Sequence, residues 1–234
     1  MILFIHGSGF TGDVFWQQLP AFPGSIAPNL PGHASHGTAT TVSEFADFIE
    51  RFIKEHKLHE VTLCGNSLGG AIALEVALRQ NPVVRSIVLL GSGARLRVAP
   101  QILNGLRNDF ERAAPEVAEL LYAKPTEEQL AYATDCMRRV GARQTLADYE
   151  ACNAFDVMER LGEITVPLLA ITGEQDRMTP PKYADFLAAR VPDGQARIVP
   201  GAGHLVMMER PVETNEAIAQ FLKRRHKLGV TLAN

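Results

Sequence analysis

The 234-residue sequence has no excess of positive charge, few cysteines and no long apolar run. Its 23 Lys and Arg stand against 26 Asp and Glu, a formal net charge of −3. A nucleic-acid binder needs a cationic stripe to neutralise phosphates, and this balance argues against that class. The three cysteines, Cys64, Cys136 and Cys152, cannot all pair, and their spacing fits no zinc pattern. That usage points to a reducing compartment, with no metal. No stretch of about 18 apolar residues occurs, so no membrane span is expected. The start, MILFIHGSG, lacks the basic region of a secretion signal. These absences predict a soluble, cytoplasmic chain. With 46% hydrophobic residues, disorder as the main state is excluded. The length suits one large domain carrying an insertion.

Short, β-branched apolar runs alternate with helical patterns. Strands are expected at Ile2–Ile5, Ile26–Pro28, Val61–Cys64, Ser86–Leu90, Val166–Thr172 and Ala196–Val199. Helices are expected at Val42–His56, Leu68–Arg79, Pro181–Arg190 and Val212–Arg225, with a frayed tail beyond. Such alternation implies an α/β fold, a mostly parallel sheet with helices on both faces. Residues 95–163 break the pattern. They contain only helical segments, at Pro100–Ala113, Pro115–Tyr122, Thr126–Val140 and Gln144–Leu161. The expected organisation is a core of residues 1–94 and 164–234 with a helical insertion at 95–163.

Gly65-Asn66-Ser67-Leu68-Gly69 follows a strand directly and opens a helix. Alone, a G-x-S-x-G pentapeptide is a weak signal, because Gly and Ser are common residues. A strand–turn–helix setting is what a nucleophile elbow requires. A serine on so sharp a turn crowds its neighbours, and glycines relieve that crowding. The helix N-terminus beneath the hydroxyl favours a developing oxyanion. The bland alternative is a serine N-cap on an ordinary βα turn.

A hydroxyl is a poor nucleophile at neutral pH and needs a base. Of the seven histidines, His204 lies in Pro200-Gly201-Ala202-Gly203-His204, after the last strand. Loops at the carboxyl ends of parallel strands are where such sheets present functional groups. Asp176, in the loop after the preceding strand, is the candidate to orient the imidazole, with Glu174 as competitor. The chain order Ser67, Asp176, His204 is that of α/β-hydrolases, not of the chymotrypsin-like or subtilisin-like order. His6-Gly7-Ser8-Gly9 follows the first strand. The N–H groups of Ser8, or alternatively Gly9, and of Leu68 are the candidate oxyanion hole. His6 reads as structural.

The sequence resembles the α/β-hydrolase family, in its branch of small esterases and C–C or lactone hydrolases. The resemblance rests on His6 to Gly9, Asn29-Leu30-Pro31-Gly32-His33, Gly65 to Gly70, Gly173 to Pro180, and Gly203-His204 with Glu209-Arg210-Pro211. It implies the α/β-hydrolase fold with a helical cap. The two strands that usually precede the His-Gly loop are missing, which leaves about six. An uncovered first edge makes a homodimer as reasonable as a monomer. The resemblance also implies a largely apolar substrate pocket. Its candidate residues are Gly7 and Gly9 beside the oxyanion loop, with Phe10, Trp16, Leu121, Met137, Phe155, Met178 and Leu205; Phe15, Leu96 and Val206 are further ones. It assigns His33 to a loop beside the site.

Relatives with Asp or Cys in place of Ser67 are dehalogenases, epoxide hydrolases or dienelactone hydrolases, so Ser67 implies acyl transfer to water. The expected function is a carboxylesterase cleaving a small-molecule ester of short-to-medium acyl chain, without cofactor. C–C or enol-lactone hydrolysis with the same residues is the alternative. A slow-turnover ligand receptor is a third reading.

Overall fold

The computed structural model describes residues 1–34 and 37–230, with side chains to residue 224. Five strands form one parallel sheet in chain order: β1 (Ile2–Ile5), β2 (Val61–Asn66), β3 (Val84–Leu90), β4 (Leu168–Gly173) and β5 (Gly194–Val199). The register aligns Ile5 with Gly65, Asn66 with Leu90, Leu90 with Ile171, and Gly173 with Val199. The carboxyl ends of all five strands therefore lie along one edge of the sheet.

The expected sixth strand is reduced to one bridge. Ile26 pairs with Leu3, donating to the Ile2 carbonyl at 3.1 Å and accepting from Phe4 N–H at 2.8 Å. The next rung of a parallel ladder would need the N–H of residue 28, which is proline and has none.

Alternation along the strands sorts the core into two layers. Leu3, Ile5, Leu63, Ile87, Leu89 and Leu168 face α1 (Val42–Glu55), α2 (Leu68–Leu78) and α7 (Lys182–Arg190). Ile2, Phe4, Cys64, Val88, Leu90 and Ile171 face α8 (Val206–Glu209) and α9 (Pro211–Val230). An unreversed strand order puts α1, α2 and α7 on one face when every crossover has the same hand. The sheet is thus covered on both sides, and strands β1 to β4 are almost wholly buried. β5 is half-exposed and carries Arg197 on its open edge, a charge that discourages further pairing.

Between β3 and β4 the chain is helical: α3 (Pro100–Asn108), α4 (Phe110–Leu120), α5 (Glu127–Val140) and α6 (Ala142–Ala154), then a 3-10 turn at Met158–Glu163. The first expected helix divides at Asp109. This residue leaves helical backbone (φ −154°, ψ 72°), and its carboxylate accepts from Arg112 N–H at 3.4 Å. An aspartate that caps a new helix ends the old one. Pro115, expected at a helix start, lies inside α4. Thr126 opens α5 through a capping box with Gln129, as its sequence suggests. At the other end, α9 continues to Val230, past the expected fraying point at Arg225, and residues 231–234 lie outside the described ones.

Candidate active site

Ser67 sits between β2 and α2 with φ 51° and ψ −113°, a backbone conformation costly for a residue with a side chain. The turn is this tight because of Gly65 and Gly69. A side chain on Gly65 would overlap the backbone of Gly69, and one on Gly69 would overlap the Ile5 carbonyl. The strained residue and its neighbour Asn66 are tied to β3 and the loop after it. The Leu90 carbonyl accepts Ser67 N–H at 3.0 Å and Asn66 Nδ2 at 2.9 Å, and Ser92 Oγ donates to the Ser67 carbonyl at 2.8 Å.

His204 and Asp176 meet at the same edge. His204 Nδ1 lies 3.0 Å from Asp176 Oδ2, with both side chains buried. The rest of the carboxylate is fully engaged. Its Oδ1 accepts the N–H groups of Met178 and Thr179, both at 2.8 Å. Its Oδ2 also accepts the hydroxyls of Thr179 at 2.8 Å and Thr172 at 3.2 Å. Burial works against the charge of Asp176, but the His204 ring and the Thr179 donors outweigh it and hold the carboxyl below its usual range. An ionised Asp176 fixes the proton on Nδ1 of His204 and leaves Nε2 as the basic nitrogen. Glu174, the competing carboxylate, is exposed and accepts from Gly201 N–H at 3.2 Å instead.

The loop after β1 lies against the elbow. A Cβ on Gly7 would stand 3.3 Å from Ser67 Cβ and 2.8 Å from Asn66 Oδ1. His6 braces this loop. Its Nδ1 donates to the Gly7 carbonyl at 3.0 Å, and its Nε2 accepts Leu30 N–H at 3.0 Å. Burial, then the neighbouring His33, push its pKa down to about 3, so the ring is neutral and structural as expected.

Residues 2–217 match the alpha/beta hydrolase family. The chain belongs to that family. Pimeloyl-[acyl-carrier protein] methyl ester esterase of Neisseria meningitidis serogroup B is 29% identical, over 87% of this chain and 85% of its own. A 2-hydroxy-6-oxo-6-(2'-aminophenyl)hexa-2,4-dienoic acid hydrolase of Metapseudomonas resinovorans is 28% identical, over 76% of this chain and 64% of its own. Among solved structures, a thermophilic esterase is 36% identical and superposes with a TM-score of 0.86, covering 95% of this chain and 89% of the other.

In this hydrolase the apolar pocket candidates fall into separate groups. Phe10, Leu121, Met137 and Leu205 belong to one buried cluster, with Met178 packed against it. Met137 presses on Gly9, and Phe10 faces Tyr132 with ring centroids 6.3 Å apart. Leu205 donates its N–H to the Leu121 carbonyl at 3.0 Å, which ties the histidine loop to the end of α4. Phe155 and Leu96 lie in the other cluster, with α1 and α2. Trp16 is 59% exposed at the end of a short 3-10 helix. Among the described residues no group of three or more His, Cys, Asp or Glu could hold a metal ion. Nor is any helix among them long and apolar enough to cross a membrane.

Two further carboxylates of the hydrolase hold the loops of the site. Glu209 accepts Gly203 N–H at 2.7 Å and Ala123 N–H at 2.9 Å, fastening the histidine loop to the helical segment between β3 and β4. The Glu209-Arg210-Pro211 motif signalled this residue. Asp148 gave no signal at all. It is fully buried on α6 and bound to His33 and to Gly9 N–H. His33 itself is fully buried with both ring nitrogens engaged.

Proposed function

We propose that this hydrolase cleaves carboxylic esters of short-to-medium acyl chain through Ser67, His204 and Asp176. The observation that carries this reading is the buried hydrogen bond between His204 Nδ1 and Asp176 Oδ2, on the same sheet edge as the strained Ser67. Ser67 Oγ attacks the ester carbonyl carbon while His204 Nε2 takes its proton. The negative charge that develops on the carbonyl oxygen is received by the N–H groups of Ser8 and Leu68, the latter at the positive end of α2. The carbon–oxygen bond then breaks, and His204 returns the proton to the leaving alcohol. Water, deprotonated by His204, attacks the Ser67 acyl-enzyme and releases the acid. Asp176 holds the imidazole in one tautomer throughout. Residues 95–163 act as a cap, and Phe10, Met137, Leu121 and Leu205 line the acyl side. The named activities of the Neisseria relative and of the thermophilic esterase support the bond class.

Hydrolysis of p-nitrophenyl esters across a series of acyl lengths tests this reading. Wild type should turn over short and medium esters, and Ser67→Ala should lose at least about a thousandfold in kcat. Activity that survives Ser67→Ala removes Ser67 as nucleophile. C–C or enol-lactone hydrolysis is the second reading, supported by the dienoic acid hydrolase relative. It predicts negligible ester turnover beside Ser67-dependent cleavage of a vinylogous diketone or an enol lactone.

A further inference from the structure

Asp148 has a full set of donors, and they come from three parts of the chain. Its Oδ2 accepts Gly9 N–H at 3.0 Å and lies 2.8 Å from His33 Nε2, and its Oδ1 accepts Gln144 Nε2 at 3.0 Å. Gly9 belongs to the loop after β1, His33 to the loop that follows Ile26, and Asp148 to α6. Neither Asp148 nor His33 has any solvent exposure.

The hydrogen-bond pattern fixes the protons. His33 Nδ1 lies 3.1 Å from the Pro31 carbonyl, which can only accept, so Nδ1 carries a hydrogen. His33 Nε2 and Asp148 Oδ2 then share a second proton between them. The carboxyl also receives the N–H groups of Gly9 and Gln144, so both of its oxygens are engaged. The pair is then a buried, hydrogen-bonded couple without access to water.

The same face of α6 touches the next loop residue as well. One helical turn beyond Asp148, Cys152 Sγ lies 3.6 Å from Ser8 Oγ. Met137, from α5, packs on Gly9, whose φ is +72°. The peptide that follows Ser8, and the Ser8 hydroxyl, are therefore held by side chains of the helical segment, while the peptide that precedes Ser8 is braced by His6.

We propose that Asp148, hydrogen-bonded to His33, is a positioning residue that aims the Ser8 N–H by gripping the N–H of Gly9. This deepens the esterase reading and rests on it. The oxyanion loop takes its working shape only when α6 is seated, so the insertion helps build the reaction centre as well as covering it. Asparagine cannot replace Asp148. It offers one acceptor oxygen where the carboxylate offers two, so either Gly9 and His33 or Gln144 would face an NH2 group.

The experiment compares wild type, Asp148→Asn and the double variant Asp148→Asn/His33→Gln in the intact chain. Each is titrated with a fluorophosphonate that labels Ser67, and kcat and KM for a p-nitrophenyl ester are expressed per labelled site, which removes misfolded material from the count. Both variants should lose about 30-fold in kcat with KM within about threefold, the pattern of a displaced transition-state donor. The double variant replaces both members of the buried pair and so keeps the test open if the single variant folds poorly. Amide exchange at residues 7–10 should quicken in both. An unchanged kcat per labelled site, or a loss confined to KM or thermal stability, overturns the positioning role. A wild type that neither labels nor turns over overturns the esterase reading itself, a result distinct from either.

Discussion

The carboxylate of Glu209 accepts the N–H of Gly203 at 2.7 Å, one residue before His204. Its other oxygen holds Ala123, so one side chain sets the histidine loop against the helical segment between β3 and β4. Burial pushes this carboxyl above its ordinary value, against the pull of the two N–H groups.

Glu209→Gln keeps one acceptor oxygen and places an NH2 opposite the other donor. The expected loss is about 1–2 kcal/mol of unfolding free energy. A fall of about five- to tenfold in kcat should accompany it, because the imidazole shifts. Urea unfolding and ester kinetics check both. A destabilised variant with full kcat would mean that Glu209 holds the fold but not the ring.

Gly91 is the second sensitive position. Its φ is +52°, and a Cβ there would stand 2.7 Å from the His204 carbonyl and 3.1 Å from His204 Nδ1. Gly91→Ala should cost about 1–3 kcal/mol through left-handed strain and contact. It should also lower kcat by more than about tenfold by displacing the ring. Normal kinetics in Gly91→Ala would show that the histidine loop yields at no cost to the chemistry.

The state of Asp176 gives a pH signature. Its carboxyl is held below its ordinary value of 3.8. A depressed carboxyl contributes stability above its unfolded pKa, and that contribution is lost as pH falls through the folded value. The stability gap between wild type and Asp176→Asn should therefore be widest near neutrality and shrink below about pH 4. Denaturant unfolding at neutral and acid pH measures it. A gap that widens toward acid would mean that the carboxyl is not held in its charged form.

The thiols supply a test of packing. Cys64, Cys136 and Cys152 are all free and buried. Burial raises Cys64, and raises Cys152 to about 12. A thiol-exchange dye should find no reactive group in the native hydrolase and three after unfolding. Rapid native labelling would place at least one thiol at the surface.

The strands, the elbow and the loops bearing Asp176 and His204 were readable because each is a local pattern. Short β-branched apolar runs, a glycine-framed serine and loops just past strand ends all lie within a few residues. The missing sixth strand was also local, but its cause, the absent N–H of Pro28, matters only once the partner strand is known. Asp109 resembles any exposed helical aspartate until its backbone turns away. Asp148 was illegible for a different reason. Two of its partners, His33 and Gly9, lie 115 and 139 positions away in the chain, and nothing around it in α6 marks it as special.

That separation also bears on how the hydrolase acquires activity. β1, β2 and β3 can assemble in chain order with α1 and α2 between them, but the loops carrying Asp176 and His204 arrive only after the long helical detour has been closed. Contacts between distant parts of a chain form late, because the entropy of closing the loop is lost before the contact repays it. The grip of Asp148 on Gly9 and of Glu209 on Ala123 are both contacts of this kind. Refolding should therefore recover helical signal first and turnover last, and a protease that nicks the detour should silence the enzyme while leaving its sheet intact.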